Sequence, residues 1–258
     1  MQAPFLLSYL LPVMLVCAPA PGAIDQTAAT AEHAIERAGH CTDAAALANT
    51  IKLLDTALAA APDQPALLYT RGYAAYVDSE LHRGPKDHAA CERALREADR
   101  ILERVKGAPW EAEASAMRGA VLGSLIALQE DIATAGATLG PEAGRLLAAA
   151  AAAAPNSPRV LLFRGQSLLF TPPEYGGDPA EGATLLQKAA DGLAASAPPD
   201  GPRWGHAEAL AWLGLAKKQA GDLAAARAAW QQALAIEPNY AWVKFALLPS
   251  LGQPPPAK

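Results

Sequence analysis

β-Branched aliphatic residues are what this chain lacks most: Val and Ile together number 14 among 258 residues. A large sheet draws its surface from those side chains, so the shortage excludes a sheet-built body and leaves helices as the expectation. A surplus of positive charge is also missing, with 21 Lys and Arg against 26 Asp and Glu, a net charge of −5 and a pI near 5.6. That balance offers no electrostatic footprint for nucleic acid or anionic lipid, and neither is expected as a partner. The apolar run Phe5–Val16, a dozen residues, is too short to span a bilayer comfortably, so no membrane span is expected in the mature chain. No nucleophile elbow, phosphate loop or H-E-x-x-H motif occurs, and the chain is not expected to be an enzyme. What is abundant is alanine, at 63 residues, in a chain long enough for one large domain or two small ones.

Residues 1–23 have the order of a cleaved secretory signal: the run Phe5–Val16, then small residues from Ala18 to Ala23, although no Lys or Arg precedes Arg37. A periplasmic or secreted location follows as an expectation. Lipid anchoring at Cys17 is the weaker alternative, because Val16 stands where a small residue normally precedes a lipidated cysteine. A buried N-terminal helix would have to carry Pro4 and Pro12 within its own pattern.

Beyond the leader, an internal repeat organises the chain. Glycines in apolar, helix-like settings recur at Gly72, Gly119, Gly165 and Gly214, spaced 47, 46 and 49 residues apart. Ten residues before the first three stand Pro62, Pro109 and Pro155, each closing one helical pattern and opening the next. The last unit, Ala207–Tyr240, contains Leu210, Leu213 and Gly214 in its first half and the turn Gly221-Asp222. Its second half carries the stripe Ala226, Trp230, Ala233 and Leu234, and Pro238 ends it.

That unit resembles the tetratricopeptide (TPR) repeat over its full 34 residues. Similarity extends over about residues 41–248, moderately in the earlier units, where Thr171–Gly176 is an insertion before a second helix at Ala180–Ala190. Cys41–Ala61 reads as a lone helix of the second kind, Tyr240–Leu248 as a terminal capping helix and residues 251–258 as a tail. The resemblance implies an all-α domain over residues 24–250, a right-handed TPR-like superhelix of antiparallel helix pairs. The segments Gly140–Gly144, Asn156–Arg159, Thr171–Pro173 and Gly176–Asp178 resemble an uncharacterised group of bacterial exported TPR proteins, which brings no known reaction. Gly176-Gly177-Asp178-Pro179 before a helix is also similar to the helical T-component of TRAP-type transporters.

TPR stacks bind along the concave surface lined by their first helices. Aligned to the repeat, the positions turned toward that groove are Tyr69, Tyr73, Tyr76 and Val77, then Glu113, Arg159, Gln166, Phe170, Glu208, Lys218 and Gln219. A tyrosine stripe suits partner contact, because its rings are rigid and its hydroxyls tolerate burial or water; the alternative is plain packing on the next repeat. Cys41 lies 21 residues before Pro62 and Cys91 lies 18 before Pro109. In a stack with second helices side by side, that mismatch of three residues is about 4.5 Å along the axis, so a Cys41–Cys91 disulfide is expected against the alternative of two free thiols. His82, Asp87, His88 and Cys91 lack the paired spacing of metal ligands and read as a polar turn. The alternating charges of Glu92–Arg104 read as a solvated helix face and Ala148–Ala154 as helix propensity with close packing.

No cofactor or metal is expected. The function expected is a protein-interaction or scaffolding module of the cell envelope with a protein or peptide partner. The alternative is a ligand-binding accessory protein of a transporter, with a pocket between helices. A deep apolar cavity favours the second and a shallow polar groove the first.

Overall fold

The computed structural model describes residues 21–84, 87–196 and 204–252. The described residues form ten α-helices and no strand. In chain order these are α1 Pro21–His40, α2 Ala44–Ala60, α3 Pro65–Leu81, α4 His88–Leu102 and α5 Trp110–Leu128. Then come α6 Ile132–Ala153, α7 Pro158–Phe170, α8 Pro179–Ser196, α9 His206–Gln219 and α10 Leu223–Ile236. Each odd-numbered helix packs on the even-numbered one that follows, and the odd-numbered helices pack on one another in succession. The result is an all-α helical-repeat stack of antiparallel pairs, with α1, α3, α5, α7 and α9 as its inner row. Residues 1–20 of the expected leader over 1–23 lie outside the described residues, and its last three residues open α1 at Pro21. No helix of the described residues is long and apolar enough to cross a membrane.

The helix boundaries follow from local chemistry. Asp43, Asp131 and Asp222 each accept a hydrogen bond from the backbone N–H three residues on, at 2.9, 3.0 and 2.9 Å, and so satisfy an otherwise orphaned donor at the start of α2, α6 and α10. Asp178 does the same for α8, accepting from Ala180 and Glu181 at 3.0 Å each. Pro65 and Pro158 open α3 and α7, where a missing N–H is harmless. Gly221 reaches φ +83° in the turn before α10, the left-handed conformation that glycine adopts without strain.

The recurring glycines mark where the two helices of a pair cross. A Cβ at Gly72 would lie 2.5 Å from Leu102, at Gly119 2.6 Å from Leu147 and at Gly165 2.7 Å from Leu186; at Gly214 it would enter the Trp230 ring. Side chains from the outer helix fill the space each glycine leaves, the close packing that a protein interior requires. The arginine preceding two of these glycines clamps neighbouring pairs. Arg71 donates to Asp55 on α2 at 2.8 Å and to Glu97 on α4 at 2.6 Å, and Arg118 donates to Asp99 on α4 at 2.8 Å.

Three expectations need correction. The helix over Cys41–Ala61 is not alone: α1 packs against it and completes a fifth pair, with Ile35 fully buried between them and α3. The capping segment expected over Tyr240–Leu248 is helical but irregular, wound as a π-helix at Val243–Leu247 and followed by a 3₁₀ turn at Pro249–Gly252. Cys41 and Cys91 are free thiols. The spacing argument put both on second helices, but Cys41 follows α1 and precedes the Asp43 cap, near Arg37 and Glu237, whereas Cys91 lies within α4 near Arg83 and Glu80.

Candidate functional site

The inner row curls until its two ends meet. Glu36 near the end of α1 accepts a 2.6 Å hydrogen bond from the backbone N–H of Gly205, 169 residues away, and the His40 ring stacks on Tyr240 with centroids 3.8 Å apart. The concave side is therefore closed by the chain itself, and its two halves are treated differently.

One half is filled by Trp204, which is fully buried at the entrance to α9. Its ring stacks on Tyr73 at 4.0 Å, lies 6.3 and 6.4 Å from Tyr69 and Phe163, and carries the Arg159 guanidinium 4.7 Å above it. Glu113 is the polar hub: it accepts from the Tyr69 hydroxyl at 3.1 Å and from Ser157 at 3.0 Å, and pairs with Arg159 at 3.5 Å. Tyr69, Tyr73, Glu113 and Arg159, expected along a groove, are thus brought together around a residue of the same chain. Tyr69, Tyr73 and Tyr76 are at most 4% exposed, so the tyrosine stripe is interior and not an open face. The expectation of an open surface at those rings is corrected for a physical reason: Trp204 covers Tyr69 and Tyr73, and Phe163 meets Tyr76 edge-on at 6.0 Å.

The other half holds a cavity of about 390 Å³. Its walls come from the end of α1 (Glu36, Gly39, His40), the end of α3 (Tyr73, Tyr76, Glu80), α9 (Glu208, Trp212) and the segment Tyr240–Trp242, with Arg83 and Thr42 at the exposed rim. Trp212 and Trp242 meet at 4.7 Å and Phe170 lies edge-on to Trp212 at 5.5 Å. Glu208 accepts from Gln166 at 3.2 Å and from Trp212 Nε1 at 3.3 Å. Burial pushes the Glu36 carboxyl up to about 8 and the Glu208 carboxyl up to about 7, while the same desolvation pulls the His40 imidazole down to about 3, leaving it neutral. No hydrogen bond reaches the His40 ring nitrogens from the described residues.

The remaining sequence candidates lie away from this chamber. Lys218 donates to Ser250 at 2.8 Å in the C-terminal turn, and Gln219 is exposed at the end of α9. His88 donates to the Leu128 carbonyl at 2.6 Å. A second cleft of about 280 Å³ between α2, α3 and α4 surrounds the Arg71 ion pairs that clamp the stack. His40, Tyr240, Trp242 and Trp204 were not singled out as site residues from sequence. His40-Cys41 is an unremarkable pair in a linear reading, and the only signal for the others is a cluster of aromatics near the end of a chain that has few.

No family model matches the chain, and no curated protein matches it in sequence. Among solved structures, the chain is similar to the HusA haemophore from Porphyromonas gingivalis, with 20% sequence identity and a TM-score of 0.58 over 80% of this chain and 96% of that one. At that identity the likeness shows a shared all-helical fold.

Proposed function

We propose that the protein is a non-enzymatic carrier that holds a small organic ligand in the chamber between α1, α3, α9 and Tyr240–Trp242. The observation that carries this reading is the cavity of about 390 Å³ left on a concave side that the chain otherwise fills. Ligand pockets are mostly apolar and aromatic with a few placed polar groups, and span roughly 300–1,000 Å³. The similar fold of a protein named a haemophore supports a binding role. Export supports a carrier of this kind, as the leader-like residues 1–23 suggest, and the helix pairs are read as tetratricopeptide-like on the strength of Ala207–Tyr240. A second reading, docking of a protein partner, rests on Phe170 and Tyr175, which are 54% and 75% exposed at the end of α7 and in the following loop.

Equilibrium dialysis against haemin and a panel of small aromatic compounds tests the chamber. Saturable binding at one site is expected, lost on Leu81→Trp, which puts a large ring into the cavity wall while helical circular dichroism stays unchanged. Binding untouched by Leu81→Trp, or none across the panel, would overturn the reading.

A further inference from the structure

The chamber carries more carboxyl groups than cations, and it is open. Three carboxyl groups line it, Glu36, Glu80 and Glu208, against the single guanidinium of Arg83, which is already paired with Glu80. Glu36 has the Gly205 N–H as its hydrogen-bond donor, and Glu208 has the neutral donors of Gln166 and Trp212; neither forms a salt bridge among the described residues. In the filled half, by contrast, Glu113 faces Arg159. Two desolvated acids with no ion pair of their own are costly in their charged form, for Arg159 and Arg83 only partly offset the burial, and a cation entering the cavity would favour that form.

The rest of the wall suits the same visitor. Trp212, Tyr240 and Trp242 offer ring faces, which attract a cation through their negative quadrupole. His40 is 7% exposed and lines the cavity, and its ring nitrogens meet no hydrogen-bond partner among the described residues. A neutral imidazole there offers one acceptor and one donor to a bound molecule.

We propose that the chamber takes a protonated aromatic amine, its ammonium group directed toward Glu36 and Glu208 and its ring held among Trp212, Tyr240 and Trp242. This rests on the chamber being a ligand site. It also separates the protein from its haemophore neighbour in ligand charge, since the carboxylates of haem would find on this wall one guanidinium, Arg83, already paired with Glu80.

Calorimetry with the full chain decides between ligand classes, using three molecules of one shape: tryptamine, indole-3-ethanol and indole-3-propionate. Tryptamine is expected to bind about tenfold more tightly than the alcohol, a difference of about 1.4 kcal/mol, with the carboxylate weakest. Glu208→Gln, and separately Glu36→Gln, should bring amine and alcohol toward parity; two variants guard against one that fails to fold. Equal affinities, the reverse order, or a preference kept in both variants would overturn the proposal. If the alcohol or carboxylate leads and Leu81→Trp removes its binding, this inference falls and the chamber stands. If none of the three binds, and haemin does not, both fall.

Discussion

Two halves of one concave surface, built by the same inner helices, end in opposite states. Tyr73 and Tyr76, one turn apart on α3, stand on the boundary: Tyr73 stacks on Trp204 at 4.0 Å and Tyr76 meets Phe163 edge-on at 6.0 Å, while both also border a cavity of about 390 Å³. Around Trp204 the volume is filled and Glu113 has its Arg159; around the cavity the volume is open and Glu36 and Glu208 have only neutral partners. The filled half closes the stack on itself, and the open half is free to hold a ligand. Buried acids without an ion pair occur in both halves, Glu32 in the filled one and Glu36 and Glu208 in the open one, so it is the void beside the acids that marks a site.

That contrast is broken most severely by removing the plug. Trp204→Ala deletes a fully buried indole from the contact between α3, α7 and α9, and should lower unfolding free energy by about 3–5 kcal/mol in urea titration. Trp242→Ala, a partly buried wall residue of the chamber, should cost about 1 kcal/mol. Equal losses from the two would erase the distinction between the halves.

The pH dependence of stability sharpens the same comparison with a smaller effect. Folding raises Glu36 to about 8 and Glu32 and Glu208 to about 7, each from 4.5 and each chiefly by burial. The folded state therefore holds these protons more tightly than the unfolded chain. The stabilisation they give is fully present below about pH 4.5 and is lost as pH rises through 7 to 8. His40, lowered from 6.5 to about 3 by burial, works the other way, its stabilisation being present above pH 6.5 and lost toward pH 3. Above pH 6.5 the carboxyls act without it, so the urea midpoint of the ligand-free protein should fall from pH 6.5 to pH 8. Glu36→Gln should flatten that slope. A flat profile in the unaltered protein would contradict the burial of these acids.

Much of the stack was legible in the sequence because its signals are local. A glycine at each helix crossing and a proline between units mark the pairs, and the glycines at 72, 119, 165 and 214 all face a large side chain of the partner helix. A second series, Asp43, Asp87, Asp131, Asp178 and Asp222, stands at the start of every outer helix, and only its last two members belong to the turns read from the sequence. The first pair is not legible because α1 has no glycine–proline mark of its own and buries, beside three alanines and Ile35, the polar Glu32, Glu36 and His40. The site was not legible for a different reason. Whether Tyr69, Tyr73 and Tyr76 face a partner or a wall depends on Trp204, more than a hundred residues on, and the chamber exists because His40 reaches Tyr240. Periodicity gives the inward face of a helix, and closure by a distant segment leaves no periodic trace.

The central claim is that the N-terminal helix and the entrance to α9 are joined, closing the concave side. The backbone N–H of Gly205 reports it directly, since it lies outside a helix and its hydrogen bond is to Glu36, at 2.6 Å. Amide hydrogen exchange of Gly205 in the unaltered protein, read by NMR, should show protection comparable to the amides of α3. Exchange at the rate of an exposed loop amide would mean that the two ends do not meet, and the chamber between them would go with it.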